Sequence, residues 1–215
     1  MQADAASLRV LGCLIEKQRT TPDVYPLSLN ALRLACNQTT NRDPVVDYDE
    51  STIRGALDRL SRLGWVRLAS GPGSRAAKYR HLLDDALRIE ASELSLLAVL
   101  MLRGPQTVGE LKARTERLYR FDSLADVEAS LGGLAERELA LRQPRRPGQK
   151  EERYAHLLGE DEPGPVTAAF EGAGVEAGDV DLDVLGELER ELQQLRAEVS
   201  ELRASLSELE DRLGG

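Results

Sequence analysis

The residues best suited to metal binding or acid–base catalysis are two histidines and two cysteines. His81 and His156 are the only histidines, and each stands in the motif Tyr-x-His-Leu-Leu, 75 residues apart. Alternation along a β-strand would place the Tyr, the His and the second Leu of each motif on one face. We therefore interpret each histidine as a strand residue beside its tyrosine, rather than as a metal ligand or a catalytic base.

The spacing of the cysteines and the absence of known catalytic motifs also argue against an enzyme. Cys13 and Cys36 lack CxxC spacing and lie in apolar helical patterns, which is typical of reduced core thiols in a cytoplasmic protein. No phosphate-binding glycine loop, GxSxG or HExxH motif is present. We expect no catalytic residue, no cofactor and no metal.

The start of the chain does not resemble a secretory signal, and the apolar run Leu94–Leu102 is too short to span a bilayer, so we expect a cytoplasmic protein without a membrane partner.

The histidine motifs belong to a longer internal repeat. Residues 57–65 match residues 131–139, and "PLSLNALR" at Pro26 matches "PQTVGELK" at Pro105. The offset changes only across Gly, Pro and polar stretches, as expected of loops. The sequence therefore predicts two related domains, which we call the first repeat (residues 1–87) and the second repeat (residues 88–159).

Each repeat predicts three helices followed by two short strands. Apolar residues at helical spacing indicate the first helix, and hydroxyl or carboxylate caps begin the next two: Ser28 and Asp49 in the first repeat, Thr107 and Ser123 in the second. The predicted strand pairs are 65–69 with 77–82, and 139–143 with 153–157, each across a Gly/Pro-containing turn. Three helices and a hairpin make a winged helix. The predicted fold class is mainly α with small β-hairpins (α+β), as two tandem winged-helix domains.

Two long segments carry a family resemblance. Leu8–Val46 and Leu102–Glu128 closely resemble the YceH-like family of bacterial proteins, and the resemblance covers about residues 5–160. It implies two tandem winged-helix domains. It adds little about function, which must be argued from the residues.

The distribution of charge favours DNA as a partner of the first repeat. Residues 1–159 carry 24 Lys and Arg against 21 Asp and Glu, whereas residues 160–215 carry 4 against 16, so the net charge of −9 belongs to the C-terminal segment. A helix-turn-helix places its third helix in the major groove, with the wing as a backbone clasp. We expect nucleic-acid contacts from Ser51, Arg54, Arg59 and Arg62 on the third helix, from Arg75 and Lys78 on the first wing, and from Arg145, Arg146 and Lys150 on the second wing. The alternative is that these are ordinary solvated arginines.

The third helix of the second repeat predicts a different surface. With its apolar side inward, its outward residues are small or acidic: Ala125, Glu128, Ala129, Gly132 and Glu136. Glutamates repel phosphates, and small residues allow close approach of another protein. Two hypotheses follow: a DNA-binding, regulatory protein that contacts double-stranded DNA, or a protein–protein adaptor with a protein partner on the second repeat.

The polar stretch between the first and third helices has two interpretations. It is either a contact surface or a loop stiffened by prolines, with side chains that cap and turn the backbone. The residues of this hypothetical contact surface are Asn30, Asn37, Gln38, Asn41 and Arg42.

The C-terminal segment predicts a dimerisation element. Residues 160–183 form a Gly/Pro/Ala-rich, acidic linker that we expect to be flexible, and residues 184–213 carry apolar residues in alternating steps of three and four. This pattern predicts a parallel, two-stranded coiled coil that makes the protein a homodimer; packing within its own chain is the alternative. The heptad positions are Leu185, Leu188, Leu192, Leu195, Val199, Leu202, Leu206, Leu209 and Leu213.

Overall fold

The computed structural model describes residues 3–69, 77–145 and 151–159, all in one compact unit. The first repeat contains α1 (Ala5–Thr20), a 3₁₀ turn (Pro22–Val24), β1 (Leu27–Ser28), α2 (Leu29–Cys36), α3 (Glu50–Arg62), β2 (Val66–Leu68), β3 (Lys78–His81) and α4 (Leu83–Leu87). The second repeat contains α5 (Ala91–Arg103), α6 (Val108–Thr115), α7 (Leu124–Glu136), β4 (Ala140–Gln143) and β5 (Arg153–His156). This is a mixed α+β fold with small antiparallel sheets. The predicted linker and coiled-coil positions, residues 160–213, lie outside the described residues.

The two repeats share one order of elements, and the four predicted helix caps are confirmed. The oxygens of Ser28, Asp49, Thr107 and Ser123 each accept the backbone N–H three residues on, at 2.8–3.3 Å. Each cap satisfies a donor that the first helical turn leaves free. The connection from α2 to α3, residues 37–49, is five residues longer than its counterpart 116–123, in agreement with the change in offset between the repeats.

The four predicted strands are confirmed with ends that differ by at most one residue, and the first sheet gains a strand. Its order is β1-β3-β2, with Leu27 opposite Tyr79. The second sheet pairs β4 with β5, and an isolated bridge between Gln106 and Tyr154 occupies the place of β1. One expectation was wrong: the second Leu of each histidine motif does not lie on the strand, because β3 ends at His81 and β5 at His156. Leu83 begins α4 instead, and Leu158 follows the end of β5.

Both histidines lie in strands, as the sequence predicts; His81 is buried and His156 is half-buried. The Nε2 of His81 is 2.7 Å from Oε1 of Gln18, and its backbone N–H donates to the Tyr25 hydroxyl at 2.9 Å. Burial lowers the pKa of His81 to about 4, although the Asp84 carboxylate lies 3.6 Å from Nδ1. Burial also lowers the pKa of His156 to about 4. Both rings are therefore neutral at pH 7.

The two repeats share one hydrophobic core, centred on α1 and α5. Residues 7–15 of α1 and residues 94–102 of α5 are buried without interruption, so neither helix has a solvent-facing stripe along these turns. Each helix packs against its own repeat and against the other helix. Two backbone hydrogen bonds join the repeats beside this contact, from Ala3 N–H to the Leu158 carbonyl and from Asp43 N–H to the Leu102 carbonyl.

A buried arginine holds the connection that leads into α3. The Arg42 side chain is fully buried and pairs with both carboxylate oxygens of Glu16, at 2.6 and 3.2 Å. Its remaining N–H groups donate to the Ala35 and Asn41 carbonyls and to Oε1 of Gln38, at 2.8–3.1 Å. All five guanidinium donors are satisfied, which offsets the cost of burying the charge. Residues 37–49 are thereby fastened to α1 and α2.

We predict that Arg42→Met lowers the free energy of unfolding by about 3–5 kcal/mol, because it breaks a buried ion pair and leaves the half-buried Glu16 carboxylate with only Lys17, 3.8 Å away. The double variant Glu16→Leu/Arg42→Met should recover much of that loss, since it removes both charges. Urea unfolding at pH 7 measures these differences. Arg54→Met is the matched control: Arg54 forms an exposed i,i+4 pair with Glu50, and its loss should cost less than about 1 kcal/mol. Equal losses for the two single variants would contradict the account.

Candidate nucleic-acid interface

Helix α3 presents the outward face that the sequence predicts. Asp49 caps its first turn, and its inner side is buried in the core through Ile53, Ala56, Leu57 and Leu60. Arg59 lies half-buried at the flank. The residues exposed on the opposite side are Ser51, Arg54, Gly55, Asp58 and Arg62.

The amino-terminal part of this face is occupied by internal contacts. The Ser51 hydroxyl donates to the Asp49 carboxylate at 2.9 Å, and Arg54 pairs with Glu50 at 3.3 Å. In the last turn, Arg59 pairs with Asp4. Hydrogen bonds from Thr52 and Ser51 lower the pKa of Asp49 to about 2, so this cap is ionised at pH 7. The start of α3 is therefore acidic, and it is a poor place for a phosphate.

The opposite end of α3 and the adjoining sheet carry exposed cations. Arg62 ends the helix, Arg67 lies on β2 and Lys78 begins β3, and all three are exposed. No carboxylate oxygen of the described residues lies within 4 Å of any of them. Positive charge available to a phosphate is thus displaced from the start of α3 towards the sheet.

The second wing is only partly described. Arg145 is exposed, whereas Arg142 at the end of β4 pairs with Glu152. The remaining predicted wing contacts lie outside the described residues: Arg75 in the first repeat, and Arg146 and Lys150 in the second.

The outward face of α7 also agrees with its prediction. All five of its small or acidic residues, Ala125, Glu128, Ala129, Gly132 and Glu136, are exposed. The structure adds two leucines that the sequence analysis missed, Leu124 with 51% and Leu141 with 44% of its surface exposed. Leu124 borders a groove that also includes Glu128, Arg142, Arg145 and Tyr154. Apolar and small residues are therefore exposed on this side of the second repeat.

The polar stretch before α3 serves the fold. Of the two interpretations, the contact surface is wrong for Arg42, because its side chain is buried against Glu16. The side-chain amide of Asn37 exchanges two hydrogen bonds with the backbone of Tyr48, at 2.9 Å each. Asn41 has a positive φ of 60° and accepts a hydrogen bond from Arg103.

The other two members of that stretch differ in exposure. Gln38 is half-buried, and its side-chain oxygen accepts a hydrogen bond from Arg42. Asn30 is exposed on α2 and accepts only a long bond, 3.4 Å, from Arg33. Of the five, Asn30 alone combines an exposed position with a helix surface.

Two further features bear on the chemistry of the described residues. Within 3–69, 77–145 and 151–159, no three His, Cys, Asp or Glu side chains are grouped so that they could hold a metal ion. No helix in the same ranges has both the length and the apolar character needed to cross a membrane.

Comparison with known proteins shows the family of this chain. Residues 3–149 match the family described as "Protein of unknown function, DUF480". A UPF0502 protein of Citrifermentans bemidjiense is 50% identical over 192 residues, which cover 88% of this chain and 87% of the relative. A UPF0502 protein of Solibacter usitatus is 47% identical over 197 residues, covering 91% and 93% of the two chains. The chain therefore belongs to the DUF480/UPF0502 family of bacterial proteins.

Proposed function

We propose that each repeat is a winged-helix domain and that the first repeat binds double-stranded DNA, as part of a regulatory protein without enzymatic activity. In this arrangement α3 lies in the major groove and the β2–β3 wing follows the backbone. The order of three helices and an antiparallel strand pair supports the assignment, and the third strand β1 extends the sheet beside α2. The outward face of α3 is free of other described elements.

The observation that carries this proposal is the group of exposed cations without carboxylate partners among the described residues: Arg62, Arg67 and Lys78. They follow one another from the end of α3 onto the sheet, where a wing would meet the phosphate backbone. Asp49, Glu50 and Asp58 weaken the case for base reading by α3, because carboxylates repel phosphates and accept only from cytosine. We therefore infer phosphate-dominated binding with little dependence on sequence.

A protein–protein adaptor is the second candidate, and the exposed leucines of the second repeat favour it. Leu124 begins α7, whose exposed Glu128 and Glu136 would repel DNA, and Leu141 is exposed on β4. This surface and the basic end of the first repeat belong to different repeats. One protein could therefore use both.

We predict that DNA binding weakens with salt, with a slope of log K against log [salt] near −4 to −5, because each phosphate contact contributes about −0.9. Neutralising Arg62, Arg67 and Lys78 together, each to Gln, should make the slope shallower by about 2.7. Fluorescence anisotropy of a random 20-base-pair duplex between 50 and 200 mM salt measures both values. The control changes three other exposed arginines to Gln: Arg19, Arg117 and Arg120.

Two results would contradict the DNA proposal. One is the absence of binding at 50 mM salt. The other is an equal change of slope in the control variant, which would mean that only the total charge matters. Capture of a protein partner that depends on Leu124 and Leu141 would then favour the adaptor.

We also propose that the chain is a homodimer through residues 184–213. In a parallel pair, Glu191 and Glu198 at g positions meet Arg196 and Arg203 at the partner's e positions, whereas antiparallel pairing brings like charges together.

Light scattering should give twice the chain mass of 23.6 kDa at micromolar concentration. Leu195→Lys should reduce it to the mass of one chain, since it places a charge at the dimer seam. A monomeric full-length protein would contradict the proposal.

A further inference from the structure

A pocket of about 340 Å³ lies where the two repeats meet. It is bounded by the start of α1, the connection before α3, the end of α5 and strand β5. Most of its wall is apolar, formed by Ala5, Leu8, Pro44, Leu100, Met101 and Pro105. Its volume is at the lower end of the range typical of small-molecule sites, about 300–1,000 Å³.

The pocket wall contains a buried arginine whose guanidinium contacts no carboxylate of the described residues. Arg9 is only 4% exposed, and its guanidinium donates to the Pro44 carbonyl at 2.7 Å and to the Cys36 carbonyl at 3.4 Å. No carboxylate oxygen among residues 3–69, 77–145 and 151–159 lies within 4 Å of it. Arginine remains charged in proteins, and an interior charge without a counter-ion is costly. An anion in the pocket would relieve that cost.

Arg42 provides an internal comparison for Arg9. Both arginines are buried in the same region of the first repeat, but Arg42 has all five donors satisfied and a carboxylate at 2.6 Å, whereas Arg9 has two carbonyl acceptors. Burial is the largest cause of the lowered pKa of Arg9, which reflects this lack of compensation. Arg42 serves the fold, and Arg9 retains unused N–H groups beside a pocket.

The other polar residues of the wall limit the charge of a ligand. Asp43 contributes a negative charge, so a multiply charged phosphate is disfavoured relative to a monoanion. His156 is neutral at pH 7, and its Nδ1 has no hydrogen-bond partner among the described residues. The wall thus combines Arg9, the carboxylate of the exposed Asp43, the half-buried Tyr48 and a neutral ring with apolar surface, which favours a small ligand with one negative charge and an apolar body.

We propose that this pocket binds a small organic monocarboxylate, with its carboxylate on Arg9 and its apolar body against Leu8, Leu100 and Met101. Arginine suits this role because its planar fork can donate two parallel hydrogen bonds to one carboxylate. Ligands of this class would touch both repeats, since Leu8 and Arg9 belong to α1 while Leu100 and Met101 belong to α5. The inference concerns ligand binding and does not depend on the proposed DNA contact.

The test titrates the full-length protein with acids paired to their neutral analogues. The probes are benzoate, 3-phenylpropionate, indole-3-acetate and octanoate, each compared with the corresponding primary alcohol by ligand-observed NMR and calorimetry. We expect at least one acid to bind saturably with a Kd below 1 mM and at least tenfold more tightly than its alcohol. Arg9→Gln should reduce its affinity at least tenfold, because the charged partner is lost.

A second variant covers the case in which Arg9→Gln does not fold. Ala5 is an exposed residue at the start of α1 that lines the pocket, so Ala5→Phe should obstruct the pocket without disturbing the core. It should reduce affinity at least tenfold, while Ala86→Phe, at an exposed position of α4, should not. The proposal is overturned if no acid binds saturably up to 10 mM, if the alcohols bind equally well, or if Ala5→Phe leaves binding unchanged.

Discussion

The close packing of α1 against α5 is the contact on which the rest of this structure depends. At Gly12 an added Cβ would lie 2.9 Å from Cγ of Leu102 and 3.3 Å from Cβ of Met101, so the two helices can approach this closely only because Gly12 has no side chain. Both helices are buried over nine consecutive residues, and each needs apolar neighbours on every side. Neither repeat alone can supply them, and the two repeats consequently share one core.

This shared core determines which surfaces remain for function. With α1 and α5 inside, the opposite sides of α3 and α7 face outward: α3 ends at the exposed Arg62, and α7 begins at the exposed Leu124. The same junction leaves a pocket whose wall includes the buried Arg9. The buried Arg42 also contributes to this arrangement, because its ion pair with Glu16 holds the connection before α3 against α1. The packing of α1 against α5 thus determines where the proposed surfaces and the pocket lie.

Local features of the sequence predicted local structure well, and long-range packing poorly. The caps Ser28 and Thr107 were predictable because a hydroxyl before an apolar helix satisfies free N–H groups of the first turn. The face of α3 followed from periodicity. In contrast, β1 is only two residues long and depends on pairing with β3, and the burial of Arg42 depends on Glu16, 26 residues away. The α1–α5 contact was not predicted because a helix buried on all sides loses the periodicity that reveals a partner.

Native-state hydrogen exchange in the Gly12→Ala variant tests the shared core most directly. In a helix without close neighbours this change stabilises by about 1 kcal/mol, so the sign of the effect is informative. We predict instead a loss of about 1–3 kcal/mol from overpacking, equal for amides of Leu57 and Leu60 in α3 and of Leu131 and Leu134 in α7. Increased protection, or a loss confined to the first repeat, would contradict a single core shared by both repeats.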